Sequence, residues 1–270
     1  MSKIMVFIPM YNCEKQIVRV LKQMDKKVCN YVDEIVIVNN RSTDNGEKVV
    51  IDYCDNNKIS TKITLLRNDD NYNLGGSHKV AFDYAKDNDY DYIIVLHGDD
   101  QGNIHDLLPY LKNRKYEDYD CFLGSRFMRG SKLGGYSRFR TFGNVVFNII
   151  FSAALGKNIS DLGSGLNMYN VSILKNNFYI KYPDKLTFNC YMLLASNCYK
   201  HRIKFFPISW REDDQVSNVK MFSQACLTLG LVLNYFFKRR KYLEDEHRDK
   251  VIDRYSAKKI YSKGDKNEKK

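Results

Sequence analysis

Five consecutive residues, His97-Gly98-Asp99-Asp100-Gln101, combine side chains that could hold a metal ion with a position that could use one. Two adjacent carboxylates and an amide suit a hard divalent cation such as Mg2+ or Mn2+, which in turn neutralises a diphosphate. The stretch leaves Tyr92-Ile93-Ile94-Val95-Leu96, a short apolar run that reads as a buried parallel strand. Asn103 can then cap a helix with apolar positions at Ile104, Leu107, Leu108 and Leu111. Ligands of open α/β sheets bind at the carboxyl ends of strands, so this position favours a site over an ordinary acidic turn.

The elements around that strand predict more of the same edge. Lys3 to Pro9, Glu34 to Val38 and Thr61 to Leu66 read as strands. Helices follow at Ile17–Met24, from Asp44, and around Val80–Ala85, the last after a loop from Arg67 to Gly76. This alternation predicts an α/β fold with a mostly parallel central sheet and helices on both faces. Polar loops fall where the strands end. Pro9 stops the first strand and presents Tyr11 and Asn12 toward a base or ribose. Asn39 could hydrogen-bond a base edge, Ser42-Thr43-Asp44 can cap a helix, and Gly75-Gly76 permit close backbone approach. Four such loops on one edge describe a nucleotide-sized crevice. There is no G-x-G-x-x-G after the first strand and no G-x-x-x-x-G-K-[ST], which disfavours dinucleotide oxidoreductases and P-loop NTPases.

Composition bounds the rest. A 270-residue chain with 44% hydrophobic and 28% charged residues is globular. Its seven cysteines are scattered without a C-x-x-C pair, which argues for buried thiols in a reducing cytosol rather than disulfides or zinc. Met5 to Ile8 is too short for a signal-peptide core, so no secretory leader is read. Thirteen Lys/Arg against seven Asp/Glu from Lys238 onward place six of the eleven excess positive charges in the tail. A nucleic-acid-binding module would need its basic surface beside the strand-end motifs, which are acidic and amide-rich instead.

Taken in order, these motifs resemble the family 2 glycosyltransferases of the GT-A fold, most of all the polyprenol-phosphate sugar transferase branch. The likeness runs from Lys3 to Lys220. It covers Val6-Phe-Ile-Pro9-Met-Tyr11-Asn12-Cys-Glu14, Val38-Asn39-Asn-Arg-Ser-Thr-Asp44, Asn73-Leu-Gly75-Gly-Ser-His-Lys-Val-Ala81 and His97–Gln101. Gly124-Ser-Arg126, Arg140, Asp161-Leu-Gly-Ser-Gly165, and Arg211 with Ser217 and Lys220 continue it. The resemblance implies inverting, metal-dependent transfer from a nucleotide-diphosphate sugar, serving cell-surface glycan synthesis. Asp99 and Gln101 map onto the metal ligands. Pro9, Tyr11, Asn12, Glu14, Asn39, Gly75, His97, Arg211, Ser217 and Lys220 map onto donor contacts, and Arg126, Arg140 and Asn144 onto acceptor contacts. Asp99, Asp100 and Asp161 are the candidate catalytic carboxylates.

Three departures bear on chemistry: His97 and Asn39 stand where the family has aspartates, and Asn189 lies near its usual catalytic carboxylate. Asparagine can donate as well as accept, which opens a cytidine donor. A hydroxyl acceptor needs a base, with Asp100 or Asp161 available, whereas a lipid phosphate is already anionic and needs only cations. The expected acceptor is therefore a membrane lipid phosphate. The alternatives are a hydroxyl of a surface polysaccharide or teichoic-type polymer, and a non-catalytic ligand-binding protein. Three segments are expected: a catalytic domain over 1–220, an amphipathic helix over 221–241 and a basic tail over 242–270. Met221 to Phe237 is at the short limit for a membrane span and precedes Lys238-Arg-Arg-Lys241, which fits an in-plane helix at the inner membrane face or the seam of a homo-oligomer. The tail is expected to be partly helical and disordered from Ser262. Phe142 to Leu155 reads as a core or interface helix.

Overall fold

The computed structural model of the chain describes residues 2–212 and 221–264. Strands β1 (Ile4–Met10), β2 (Glu34–Asn39), β3 (Lys62–Asn68) and β4 (Tyr92–Leu96) alternate with helices α1 (Glu14–Lys22), α2 (Lys26–Cys29), α3 (Gly46–Asn56) and α4 (Asn73–Asp87). Next come α5 (Leu108–Lys112), β5 (Cys121–Ser125), β6 (Lys132–Gly134), α6 (Arg138–Leu155), β7 (Leu166–Asn170) and α7 (Phe188–Cys198). The chain continues through β8 (Ile203–Pro207), β9 (Ser209–Arg211), α8 (Met221–Lys238), α9 (Arg240–Glu244) and β10 (Ala257–Lys263).

Eight strands form one sheet in the order β10-β3-β2-β1-β4-β7-β5-β8, in which β7 and β10 run against the other six. Period-two alternation sorts the two cores. Met5, Phe7, Val36, Val38, Ile93 and Val95 face α4, α7 and the later helices. Ile4, Val6, Ile8, Ile35, Ile37 and Ile94 face α1, α3 and α5. The predicted α/β class and its parallel centre hold, and two boundaries differ from expectation.

The loop expected up to Gly76 ends earlier, because α4 begins at Asn73. Gly75 and Gly76 thus lie in its first turn, pressed against neighbours: a Cβ on Gly75 would sit 2.5 Å from the Pro183 carbonyl. The Gly75 amide also donates to the Asp184 carbonyl at 2.6 Å. The second difference is in the tail: α9 supplies part of the expected helix, but Ala257–Lys263, including Ser262 where disorder was expected to begin, forms an edge strand antiparallel to β3. Lys258, Lys259 and Lys263 charge this edge, a common way to keep an open strand from pairing further.

Candidate active site

Strand pairing assembles the site. Leu96 of β4 pairs with Leu166 of β7, which brings the Asp161–Gly165 loop beside His97, and the His97 amide donates to the Gly165 carbonyl at 2.9 Å. A Cβ on Gly165 would lie 2.9 Å from His97 Cγ, so glycine is what lets the ring pack there. Gly98 does the same toward β1, where a Cβ would meet the Pro9 carbonyl at 2.7 Å. The small sheet of β6 and β9 then lays Arg211 on the same loop, its amide donating to the Gln101 carbonyl at 3.0 Å.

The adjacent carboxylates Asp99 and Asp100 have opposite surroundings. Burial pushes the Asp99 carboxyl up to about 6; the amide of Gln101 reaches it at 3.2 Å. Asp100 adopts a left-handed backbone with φ of 61° and is 4% exposed. Its carboxylate binds Arg19 at 2.5 Å, Gln23 at 3.0 Å and Arg211, while Arg211 Nε also donates to its carbonyl at 2.9 Å. Asp100 is therefore held in an ion-pair cluster, which opposes its use as a base. Arg19 on α1 and Gln23, which caps its C-terminus one turn later, carry no motif; a polar pair at the end of an amphipathic helix is their only signal.

The oxygen-rich pair Asp99 and Gln101 suits a hard divalent cation. Among the described residues no group of three or more His, Cys, Asp or Glu side chains could hold a metal alone. A Mg2+ or Mn2+ ion at this place fits if substrate phosphates and water complete its shell, as they usually do for Mg2+. The raised Asp99 carboxyl agrees, since a buried carboxylate gains most from an added cation. His97 is held neutral, its pKa pulled down to about 4 by burial and by the charge of Arg126. Its Nε2 is buried without a hydrogen-bond partner among the described residues, an unmet polar atom at the end of β4.

The donor-side loops are knitted to one another. Asn12 Oδ1 accepts from the Thr43 amide at 2.8 Å, and Glu14 Oε2 accepts from the Asn45 amide at 2.9 Å. Tyr11 stays 50% exposed at the end of β1. Asn39 is 2% exposed, and its amide is spent: Nδ2 donates to Glu47 at 2.6 Å and Oδ1 accepts from Ser42 at 2.9 and 2.7 Å. This local clasp gives Asn39 a structural role beside the expected base contact. Gly75 is likewise explained by its packing on Pro183 and Asp184. Ser217 and Lys220 lie outside the described residues.

The acceptor-side residues also meet, though not as separate charges. Arg126 and Asp161 form a buried two-pronged pair at 2.8 Å on both arms. Burial opposes the Arg126 charge, but Asp161 outweighs it and holds the guanidinium ionised. The expected base and the expected phosphate cation thus neutralise each other. Arg140 pairs with Glu212 at 2.5 Å and stacks over Tyr136, whose hydroxyl accepts from Asn144 at 3.0 Å. Glu212 and Tyr136 had no motif to betray them. Asn189 lies beside Gly163 at the start of α7 and supplies an amide where a carboxylate was sought. Next to Asp100, a cleft of about 520 Å³ is lined by Arg19, Lys22, Lys132 and Arg211, four cations against that one carboxylate.

The ordered strand-end motifs and this sheet agree with a family comparison: the profile of glycosyl transferase family 2 matches residues 5–178. The chain belongs to that family. It carries a glycosyltransferase domain of the GT-A type. An uncharacterised protein of Methanocaldococcus jannaschii, MJ0544, is 32% identical over 120 residues, 44% of this chain and 50% of its own length. The matched stretch thus spans half of that relative. The mannosyltransferase PcManGT of Pyrobaculum calidifontis, solved with GDP-Man and Mn2+, shares the fold with a TM-score of 0.60 at 14% identity, covering 90% of this chain and 64% of that one. Staphylococcus aureus TarS 1-349, solved with UDP-GlcNAc, does so with a TM-score of 0.57 at 18% identity, covering 86% and 67%.

Proposed function

We propose that this family 2 domain transfers a sugar, with inversion, from a nucleotide-diphosphate donor to a lipid phosphate of the polyprenol type at the inner face of the cell membrane. The observation that carries the acceptor is the fate of the carboxylates. Asp100 and Asp161, the candidate bases, are both tied to arginines. A hydroxyl nucleophile needs a base, and a phosphate does not.

In this reading a phosphate oxygen of the acceptor attacks the anomeric carbon, and the bond from that carbon to the diphosphate breaks on the opposite side. Asp99 and Gln101 would hold a Mg2+ or Mn2+ ion, which supplies charge stabilisation to the departing diphosphate. Arg211 adds to that stabilisation from the cleft side, where cations exceed carboxylates. His97 offers its unpartnered Nε2 to the donor. Tyr11 offers an exposed ring to the base, and Asn12 and Glu14 fix the loop that presents it. Arg140 and Asn144, grouped on Tyr136, form the acceptor lip, and the Arg126–Asp161 pair stiffens its floor. The solved complexes of fold relatives with GDP-Man and Mn2+ and with UDP-GlcNAc support the donor class. No helix among the described residues is long and apolar enough to cross a membrane, and we assign α8 to the bilayer surface instead.

The test is transfer from labelled UDP- and GDP-sugars, with Mn2+, to polyprenyl phosphate in detergent. Sugar should appear in the lipid fraction, and Arg140→Ala should lower acceptor use by about ten- to a hundredfold, the worth of a charge-assisted phosphate contact. Sugar appearing only on a polyol or polysaccharide acceptor would overturn the lipid-phosphate reading and return the search to a displaced carboxylate base.

A further inference from the structure

Two neighbouring helices carry apolar side chains on the faces that water should see. Ten of the fourteen large apolar side chains exposed among the described residues lie on α6 and α8. On α6, Phe139, Phe142, Val146 and Ile149 recur every three or four residues and form one outward stripe. On α8, Leu231, Val232 and Tyr235 enter the core while Leu229, Leu233, Phe236 and Phe237 face out, so the helix is apolar all round. Such a helix belongs in a protein core or at a lipid surface. The two helices pack against each other.

Charge decides between a bilayer and a second copy of the chain. Arg138 opens α6, Lys157 follows it, Lys238 closes α8, and Arg239 and Lys241 come just after it, Lys241 within α9, all exposed. None of the five has an ion-pair partner among the described residues. Cations at the rim of an apolar face repel their own copies across a two-fold contact and attract anionic headgroups. Neither helix is suited to cross a membrane, so both would lie in its plane.

We propose that α6 and α8 form one docking face for an anionic bilayer, with α6 inserting in its own right. The sequence reading had kept α6 as a core or interface helix. This inference deepens the membrane part of the proposed function and rests on its assignment of α8. It gives that assignment a consequence for the site: Arg140 and Asn144 belong to the first turns of α6, so insertion sets the acceptor lip at headgroup depth.

Cys226, exposed on α8, allows a direct test, since the other cysteines are buried or half-buried. An environment-sensitive fluorophore is placed on Cys226, and separately at position 149 in Ile149→Cys/Cys226→Ser. Each protein is mixed with vesicles of phosphatidylglycerol and phosphatidylcholine at physiological salt. Both probes should shift to the blue and be quenched by spin labels on the acyl chains, and neutral vesicles should bind more weakly. Phe142→Ser should weaken vesicle binding about tenfold or more, with donor affinity in solution unchanged. Insertion of the α8 probe while position 149 stays in water would overturn the inference and leave the α8 assignment standing. If neither probe enters and the protein sediments as a dimer, the face is a subunit contact and the whole membrane reading falls. Transfer to detergent-dispersed acceptor would survive either result, which keeps the transferase reading separate.

Discussion

At the scale of residues, chemistry is divided between neighbours by their surroundings. Asp99 is half-buried with its carboxyl pushed up to about 6 by desolvation, whereas Asp100 is neutralised by Arg19 and Arg211. The sequence makes the pair visible but not the division, because Arg19 and Arg211 approach from 81 and 111 residues away. A shorter separation of 35 residues still hides the Arg126–Asp161 pair, whose members read separately as cation and base. Asn39 shows the converse, a motif position whose side chain is used up locally. Its Nδ2 donates to Glu47, whose carboxyl is held below the usual range by hydrogen bonds from Arg67 against the effect of burial. Asn39→Asp would set a second carboxylate where that donor stood. It should therefore destabilise the protein by about 1–3 kcal/mol in urea titration, more than it reorders donor preference. An unchanged midpoint with a switched nucleotide ranking would restore Asn39 to the base site.

At the scale of elements, the strands were legible because short apolar runs ended in polar clusters, and the helices because their apolar positions recur. The start of α4 was not, since two glycines ordinarily signal a loop; here Gly75 is pressed on Pro183 and Asp184, and Gly76 on Tyr72. The last strand, β10, was hidden because its three lysines, two of them adjacent, give an edge strand the composition of a solvated tail. Its approach is fixed from within. Lys79 on α4 is fully buried, donates to the Tyr182 carbonyl at 2.6 Å and to Asp184 at 2.7 Å, and lies 3.2 Å from the Tyr255 hydroxyl just before β10. Burial pulls its ammonium down to about 8, against the opposing pull of Asp184. A free lysine keeps its proton to about 10.4, so between these values the unfolded chain binds more protons and stability rises with pH. Wild type should gain about 2–3 kcal/mol over Lys79→Met between pH 7.5 and 10 in chemical denaturation. Parallel stability curves for the two proteins would show that Lys79 does not titrate in the fold.

At the scale of the whole molecule, β4 with its two flanking strands carries the loop proposed to hold the metal. β7 delivers the Asp161–Gly165 loop, β9 delivers Arg211, and α6 runs from the acceptor lip into an exposed apolar stripe. The parallel half of this plan was readable from element order alone. The antiparallel insertion of β7 was not, because nothing in Leu166–Asn170 announces its direction, and with it the meeting of His97 and Gly165 stayed hidden. The central claim is that this assembly binds a nucleotide-diphosphate sugar through a metal held at Asp99. The most direct measurement is calorimetric titration of UDP- and GDP-sugars into wild type and Asp99→Asn, each with and without Mn2+. Wild type should bind one donor class tightly only with Mn2+, and Asp99→Asn should lose that metal response while keeping its melting temperature. Equal donor affinity with and without Mn2+, or an intact metal response in Asp99→Asn, would contradict it.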